Sequence, residues 1–171
     1  KNEIPFFINL MRHLSDKNFI CPTPLKDKNN IYIQNKNLKK FVIVSFLEGT
    51  WKRTPNFEDI FLVGKLIADL HNKTKDFKFK RYNSLSIDGW QKLIHTFKQN
   101  DLEEKIEGIN KDLLDEINDS FRNCYNSWPK DLPKGLIHGD IFPDNVFFDS
   151  NKISGIIDFY FSCTDILAYE I

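Results

Sequence analysis

Apolar side chains recur at helical spacing in four parts of the chain. Near the amino terminus they stand three or four residues apart, at Ile4, Phe7, Ile8, Met11 and Leu14. One apolar face at that spacing predicts an amphipathic helix over residues 4–14. The same periodicity predicts further helices over residues 56–73, 88–98 and 111–127. Thr54 fits the N-cap of the second helix.

Continuous apolar runs bounded by polar turns predict short strands. Residues 31–33 and 41–47 form two such runs on either side of the polar turn 34–40, and the second run is almost entirely apolar. That run is therefore expected to lie centrally in its sheet. Three more runs follow, at residues 135–137, 146–148 and 153–157. The order of helix, hairpin, several helices and short β elements predicts an α+β fold.

Charge and composition narrow the class of protein. The 24 basic residues balance 24 acidic ones, so we expect no bulk electrostatic attraction to nucleic acid or to an anionic membrane. No apolar run approaches the roughly 18 residues of a membrane-spanning helix. The cysteines are odd in number and widely spaced, at Cys21, Cys124 and Cys163, which favours a reducing, cytoplasmic setting.

The sequence LIHGDIFPDNVFF, residues 136–148, places a polar cluster between two apolar runs. Asp140 and Asn145 stand five residues apart within it, and Asp158 follows a second apolar run, thirteen residues beyond Asn145. The segment 149–152 between the two runs predicts a hairpin turn. Such a hairpin returns Asp158 to the start of the first strand, beside Asn145. Three polar groups from separate segments are therefore expected to converge.

Oxygen groups of this kind suit Mg²⁺, which prefers oxygen ligands and is normally shared with phosphates. With Asn145 and Asp158 as metal ligands, Asp140 is placed to accept or orient the proton of a substrate hydroxyl. Taken singly, either acid has the alternative role of capping or shaping a turn. We interpret His138 as a catalytic-loop residue that orients its neighbours rather than transferring a proton. Asp144 either shapes the turn or contacts metal or substrate.

Residues 138–159 carry HGD, then an asparagine, then IDF, and this spacing resembles the kinase signature HRDxxxxN followed by DFG. Gly139 stands where protein kinases carry arginine, and Tyr160 stands where they carry the DFG glycine. The motif therefore resembles the aminoglycoside-phosphotransferase-like branch of the protein-kinase-like fold. The stretches RYNSLSIDGW (81–90) and IDFYF (157–161) narrow the resemblance to homoserine kinases, and the resemblance spans essentially the whole chain.

This resemblance implies ATP-dependent phosphorylation of the side-chain hydroxyl of L-homoserine, giving O-phospho-L-homoserine in threonine biosynthesis. It implies that Asp140 is the catalytic aspartate and that Asn145 and Asp158 hold Mg²⁺. Residues 1–49 then correspond to the end of the kinase N-lobe up to the hinge, and residues 50–171 to a mostly helical, incomplete C-lobe. The nucleotide-binding hinge falls on Val44, Ser45, Phe46 and Leu47, although a plain core strand has the same composition.

The carboxylate and amine of homoserine need a cation and a hydrogen-bond acceptor. Arg81, Asp88 and Trp90 in the family-like stretch are the candidates, and an exposed helix-capping segment is the alternative for the same residues. Glu3 resembles the helix glutamate that pairs with the phosphate-binding lysine in such kinases. Its alternative role is a favourable interaction with the dipole of the first helix.

The glycine-containing hairpin, the phosphate-binding lysine and the C-terminal helices of this fold have no counterpart in residues 1–171. We therefore expect the sequence to be a fragment of a longer kinase, and we expect the fragment to bind ATP poorly and to be inactive alone. Two alternative functions stay open. One is a kinase for another small hydroxyl substrate, such as an aminoglycoside, choline or an amino-alcohol. The other is a non-catalytic kinase-like module.

Overall fold

The computed structural model describes residues 3–99 and 110–171. Its helices are α1 (Ile4–Asp16), α2 (Phe57–Lys73), α3 (Ile87–Gln99) and α4 (Lys111–Ser127). Its strands are β1 (Gln34–Lys36), β2 (Lys39–Phe41), β3 (Thr50–Trp51), β4 (Lys134–Ile137), β5 (Val146–Asp149), β6 (Lys152–Ile156) and β7 (Cys163–Ile166). Within those ranges the strands pair as three small antiparallel sheets, β1-β2, β3-β5-β6 and β4-β7. The α+β prediction is confirmed.

All four predicted helices are present, and their ends follow local capping chemistry. α2 begins after Asn56 rather than after Thr54, which corrects the predicted N-cap. The Asn56 side chain accepts a hydrogen bond from the Asp59 amide at 2.9 Å, and the Asp59 carboxylate accepts one from the Asn56 amide at 3.0 Å. This reciprocal capping box satisfies two donors at the helix start, which explains the choice of Asn56. In the described ranges no helix is long and apolar enough to cross a membrane.

The first hairpin differs from the prediction. Its strands lie at 34–36 and 39–41, so that all their residues except Phe41 fall in the segment 34–40 expected to be the turn, and the run 31–33 forms no strand. Asn37 and Leu38 have φ angles of 51° and 64°. Two consecutive residues with positive φ make the two-residue turn that closes tight hairpins. The turn therefore sets the register of the hairpin, and the positions of the apolar runs on either side did not predict the strands.

Residues 42–47 form an extended segment rather than a central strand. The segment pairs with residues 23–25 through hydrogen bonds to the Ile43 carbonyl and from the Ser45 amide, both 2.9 Å long. Ile43 is 56% exposed and Phe46 is 81% exposed. The predicted burial of this run is therefore wrong for the described residues. Its backbone pairs along one edge only, and no packed layer of the described residues covers these side chains.

α1 supplies one side of the hydrophobic core. Proline stands in its first turn, where the missing N–H leaves no hydrogen bond unmade. The buried cluster comprises Phe6, Phe7, Leu10, Leu14, Phe19, Cys21, Leu70, Leu136, Val146, Phe148, Ile156 and Phe159. Full burial of a leucine or phenylalanine side chain contributes about 1.5–3 kcal/mol. The core therefore holds in place the strands that flank residues 138–145 and Asp158.

By its internal contacts the chain divides into two compact units, Lys1–Tyr82 with Pro133–Ile171, and Asn83–Leu132. The first unit contains this core, α1, α2 and the seven strands of the described ranges. The second contains α3 and α4, where the rings of Trp90 and Trp128 pack edge to face with centroids 5.5 Å apart. The lobe boundary expected after residue 49 stays a prediction.

Candidate active site

The segment between β4 and β5 folds into a closed loop around Asp140. The Asn145 side chain donates from Nδ2 to the Asp140 carbonyl at 2.8 Å and to Asp140 Oδ2 at 3.0 Å. The Phe142 amide also donates to the Asp140 carbonyl, at 2.9 Å, and a short 3-10 turn spans Pro143–Asn145. Asn145 therefore uses its amide nitrogen to hold Asp140. Its amide oxygen Oδ1 is the atom left for a ligand.

The β5–β6 hairpin brings Asp158 next to this loop, as the strand pattern predicts. Val146 pairs with Ile156, and the Ile157 amide donates to the Asn145 carbonyl at 3.0 Å. Asp158 follows directly, with φ of 63° and ψ of 64°. A non-glycine residue in this left-handed region costs about 1–2 kcal/mol, so its neighbours must hold it there. The hairpin is confirmed, and the roles of Asn145 and Asp158 toward a metal stay predictions.

The oxygen donors at this place fit Mg²⁺. Asn145 offers an amide oxygen and Asp158 a carboxylate, with the Asp140 carboxylate bonded to Asn145. Among the residues described, no group of three or more His, Cys, Asp and Glu side chains is placed to hold a metal ion. These residues therefore do not form a complete protein cage. A hard cation that keeps several waters and shares phosphate oxygens needs only one or two carboxylate ligands from the protein.

His138 is fully buried and bonded to the backbone just before Asp158. Its Nε2 lies 2.9 Å from the Ile157 carbonyl, which can only accept, so Nε2 carries the proton. Burial lowers the pKa of His138 below its ordinary 6.5, and the nearby Glu170 carboxylate opposes this effect. The neutral ring therefore ties the loop 138–145 to the segment that carries Asp158. This arrangement favours the orienting role over direct proton transfer.

Ser162 lies across from His138 when the β4–β7 register is continued. Ile137 pairs with Cys163, so His138 and Ser162 are the next residues along the two antiparallel segments. Both are completely buried, and within the described part of the chain His138 Nδ1 and Ser162 Oγ have no hydrogen-bond partner. The serine hydroxyl is a donor and the bare Nδ1 is an acceptor. The tautomer of His138 is therefore selected by the Ile157 carbonyl, which Nε2 contacts.

Glu170 holds the loop 138–145, although the sequence predicted no role for this residue. Its carboxylate is 1% exposed and accepts hydrogen bonds from the His138 amide at 2.7 Å and the Gly139 amide at 2.9 Å. His71 Nε2 lies 3.3 Å from the same carboxylate. Gly139 has φ of 80°, and a Cβ there would meet the Phe161 carbonyl at 3.0 Å, so the loop needs glycine. No local signal could reveal Glu170, because its loop partners lie 31 and 32 residues away.

The four residues of the predicted hinge line one cleft. Val44, Ser45, Phe46 and Leu47 form one side of a largely apolar cavity of about 290 Å³. Side chains of α1 and of the β5–β6 hairpin line other sides, together with Asp158. The volume lies at the lower end of that of small-molecule sites, roughly 300–1,000 Å³. The fold therefore brings the predicted nucleotide-binding residues and a predicted metal ligand to a single cleft.

The candidate acceptor-binding residues have different surroundings. Arg81 pairs with Glu3 in the first unit, with Arg81 Nη2 lying 3.0 Å from Glu3 Oε2. Asp144 is exposed in the 3-10 turn, directly before Asn145. Asp88 is exposed in the first turn of α3, and Trp90 packs against Trp128 in the same unit. Contact of any of them with an acceptor stays a prediction.

An aspartate held by an asparagine, a second aspartate returned by a hairpin and a cleft along an extended segment together are the arrangement expected of the protein-kinase-like fold. Solved structures agree with this fold. The amicoumacin kinase hAmiN, in complex with AMP-PNP, Ca²⁺ and Ami, matches with a TM-score of 0.74 at 14% identity, over 96% of this chain and 50% of that one. The gentamicin-APH(2")-IIa complex matches with a TM-score of 0.66 at 17% identity, over 94% and 55%.

The chain belongs to the phosphotransferase enzyme family, whose family model matches residues 1–171. It is also similar to curated homoserine kinases. The one from Agrobacterium fabrum strain C58 is 42% identical over 171 residues, which are 100% of this chain and 52% of that protein. The one from Chelativorans sp. strain BNC1 is 40% identical with the same coverage. The chain thus spans about half the length of the curated relatives it matches.

Proposed function

We propose that the whole protein is a homoserine kinase, which transfers the γ-phosphoryl group of ATP to the side-chain hydroxyl of L-homoserine and releases O-phospho-L-homoserine and ADP. The observation that carries phosphoryl transfer is the loop in which Asn145 holds Asp140 and adjoins Asp158. The choice of homoserine is supported by the two curated relatives, which bear that name and match all 171 residues at 42% and 40% identity.

Asp140 is the group that handles the proton. The acceptor oxygen attacks the γ-phosphorus while the bond from that phosphorus to the bridging oxygen of ADP breaks, and the hydroxyl proton passes to the Asp140 carboxylate. Asn145 Nδ2 donates to Oδ2 of that carboxylate at 3.0 Å, which orients it and leaves Oδ1 for the hydroxyl. The buried His138 takes no part in the transfer and keeps the loop against Ile157.

Asn145 and Asp158 are the residues that would hold Mg²⁺. The bound cation supplies neutralisation of phosphate charge during phosphoryl transfer. The contribution of the protein is to place the ligands in advance. The Asn145 side chain is bonded to Asp140 and its carbonyl to the Ile157 amide, while Asp158 is held in a left-handed conformation. Ligands that are fixed before the nucleotide arrives need little reorganisation in the reaction.

The cleft along Val44–Leu47 is assigned to the nucleotide base. Its largely apolar walls suit a flat aromatic ring. The Ile43 carbonyl and the Ser45 amide bond to residues 23–25 along one edge of this segment. In an extended chain alternate residues direct their main-chain groups to opposite edges, so Val44 and Phe46 direct theirs away from that pairing. These groups are the proposed partners for the hydrogen-bonding edge of adenine.

For the acceptor, we assign Asp144 as a contact, its carboxylate serving the ammonium group of homoserine. The product leads into threonine biosynthesis. We place the enzyme in the cytoplasm, because Cys21, Cys124 and Cys163 are free thiols. The partner of the site is a small molecule, and our proposal includes neither nucleic acid nor membrane.

The experiment that tests the function is turnover of ATP by the whole protein with L-homoserine, choline and an aminoglycoside as alternative acceptors. We expect O-phospho-L-homoserine, identified by mass spectrometry, with kcat/KM at least about 100-fold above that of the other acceptors. Turnover of choline or an aminoglycoside without turnover of homoserine would refute the acceptor. If nucleotide bound with Mg²⁺ and no acceptor were phosphorylated, the protein would be a non-catalytic binding module.

A further inference from the structure

We propose that Arg81 is a positioning residue, whose guanidinium clamps the backbone after Asp158 and so sets where the Asp158 carboxylate lies. The sequence marks Arg81 as a candidate contact for the acceptor, but its surroundings point to this other role. The inference rests on the proposed function, because it concerns how the same site receives Mg²⁺ and nucleotide.

The guanidinium of Arg81 is engaged by the protein itself. Arg81 Nη1 donates to the Ser162 carbonyl at 3.1 Å and to the Phe161 carbonyl at 3.3 Å. Nε donates to Glu3 Oε2 at 3.1 Å, and Nη2 lies 3.0 Å from the same oxygen. The guanidinium carbon lies 5.2 Å from the centre of the Phe7 ring. The group is therefore directed at α1 and at the backbone of residues 161–162.

The two carbonyls lie at the far end of the turn that Asp158 opens. Phe159–Phe161 is a single 3-10 turn with Asp158 as its N-cap, and the Ser162 amide donates to the Phe159 carbonyl at 3.0 Å. The last carbonyls of a helical turn have no partner inside that turn, and Arg81 supplies one from outside. Because the turn is only three residues long, a shift at residues 161–162 is transmitted to Asp158.

Asp158 depends on such outside support. Its backbone occupies the left-handed region, where an aspartate stays only if neighbouring contacts hold it. Its own capping hydrogen bond, from the Tyr160 amide, is 3.5 Å long and therefore weak. On the amino-terminal side the Ile157 amide is bonded to the Asn145 carbonyl. On the carboxyl-terminal side the support comes from Arg81.

The backbone of Arg81 is itself anchored. The Thr164 amide donates to the Arg81 carbonyl at 2.6 Å, and Tyr82 pairs with Thr164 in a parallel bridge. The guanidinium thus starts from a fixed point beside β7. Its planar fork can serve a carboxylate and two carbonyls together, whereas a lysine ammonium is a point charge on a flexible stem. The position therefore favours arginine over lysine.

The ion pair of Arg81 with Glu3 and the hydrogen bonds of Arg81 to the carbonyls of Phe161 and Ser162 have separate roles. The Glu3 side chain is 46% exposed, so solvent screens this ion pair and its contribution to stability is small. The hydrogen bonds to the two carbonyls hold the backbone of the turn that follows Asp158, so these bonds are the ones that position the Asp158 carboxylate. Arg81→Lys keeps the positive charge and removes the planar fork.

The experiment measures, by calorimetry, how tightly a non-hydrolysable ATP analogue binds to the whole protein at increasing Mg²⁺ concentrations. We expect Arg81→Lys to raise the Mg²⁺ concentration at half-saturation by about tenfold, because residues that orient metal ligands typically change metal affinity by about 10–100-fold. Binding of the analogue without Mg²⁺ should stay unchanged. The matched control Arg122→Lys, whose side chain is 74% exposed, should stay within about twofold of the parent.

Thermal unfolding of each variant separates positioning from a merely structural role. A lower unfolding temperature with an unchanged Mg²⁺ midpoint would overturn the proposal. A raised KM for homoserine with an unchanged Mg²⁺ midpoint would also overturn it, since that result marks Arg81 as an acceptor contact. If Arg81→Lys fails to fold, Arg81→Gln is titrated in its place, with the same weakening expected.

The titration does not depend on turnover of the acceptor. If the parent binds the analogue with Mg²⁺ but does not phosphorylate homoserine, the proposed function fails, and the Mg²⁺ midpoint of Arg81→Lys still decides on positioning. A parent without Mg²⁺-dependent binding of the analogue would overturn both.

Discussion

The Gly139 amide donates a hydrogen bond of 2.9 Å to the buried carboxylate of Glu170, which also accepts one of 2.7 Å from the His138 amide. A carboxylate that accepts main-chain N–H bonds makes charge-assisted hydrogen bonds, which are stronger than neutral ones. The Glu170 side chain is 1% exposed, so water cannot replace these bonds easily. The loop that carries Asp140 therefore depends on a residue 31 positions beyond Gly139.

Glu170→Gln is expected to lower kcat of the whole protein by about tenfold or more, because a displaced loop misplaces Asp140. The free energy of unfolding should fall by about 1–3 kcal/mol, since an amide offers one acceptor oxygen where the carboxylate offers two. Steady-state kinetics and urea unfolding measure the two effects. Glu116→Gln, exposed on α4, is the matched control. Unchanged kcat in a folded Glu170→Gln variant would show that the loop needs no such anchor.

Asp140→Asn is expected to lower turnover by about 10²–10⁴-fold, because the carboxylate that takes the hydroxyl proton is lost. Its hydrogen bonds from Asn145 reach only one carboxylate oxygen and the carbonyl, so the loop should keep its shape. Nucleotide affinity should therefore stay close to that of the parent. Asp131→Asn, at an exposed position, serves as control in the same kinetic and binding assays. Parental turnover in Asp140→Asn would contradict the proposed mechanism.

Asp158→Ala should act on the metal rather than on proton transfer. We expect Mg²⁺-dependent binding of an ATP analogue to weaken by about tenfold or more, because one of the two proposed protein ligands is removed. Binding measured without Mg²⁺ should change little. The exposed Asp149, at the end of β5, supplies the control Asp149→Ala. Equal Mg²⁺ dependence in the parent and Asp158→Ala would exclude Asp158 as a ligand.

The Lys52–Asp59 pair should make stability depend on acid pH. Lys52 Nζ lies 2.5 Å from Asp59 Oδ1, and this hydrogen bond, followed by that from the Asn56 amide, holds the pKa of Asp59 below its ordinary 3.8. A folded pKa below the unfolded one means that the stabilisation is present above pH 3.8 and is lost as pH falls through the folded value. Lys52→Met should therefore destabilise the protein at neutral pH, and the difference from the parent should shrink below about pH 4.

Urea unfolding of the parent and Lys52→Met across this pH range measures that difference. Lys92→Met, exposed on α3, removes a positive charge without touching Asp59 and is the control. A difference between the parent and Lys52→Met that stays constant with pH would show that the pair is not linked to the titration of Asp59.

The three cysteines of the chain should differ in reactivity. Burial raises the pKa of the Cys21 thiol to about 12 and that of the Cys163 thiol to about 12, so both stay protonated and unreactive at neutral pH. Cys124 is exposed on α4. Iodoacetamide should therefore label Cys124 in the native protein, as peptide mass spectrometry can show, and all three thiols in urea. Native labelling of Cys21 as fast as that of Cys124 would contradict the burial found here.

The β5–β6 hairpin could be predicted from sequence because its signals are local. Apolar runs of similar length flank a polar turn at 149–152, and an antiparallel pair returns the chain to its starting point. The meeting of Asn145 and Asp158 follows from that geometry. The helices likewise follow from apolar periodicity, although the start of α2 is set by the capping box formed by Asn56 and Asp59.

The first hairpin could not be predicted in the same way. Its turn places Leu38 at φ of 64°, a conformation that few leucines adopt, so no residue preference indicates it. The apolar run 41–47 suggested burial, yet burial depends on which elements lie against a segment. In the described residues that segment lines the cleft and leaves Phe46 exposed. Its apolar side chains are therefore compatible with contact to a ligand, which is what the resemblance implies.

The sequence by itself determined the helices, the hairpin after residue 145 and the spacing of Asp140, Asn145 and Asp158, because each depends on contacts between near neighbours. Only the tertiary structure decided that Glu170 holds the loop and that Arg81 reaches the carbonyls beyond Asp158. Those partners are 31 and 81 residues apart. A charged side chain has many possible partners at such separations, and only the packing of α1 and the small sheets decides which one it meets.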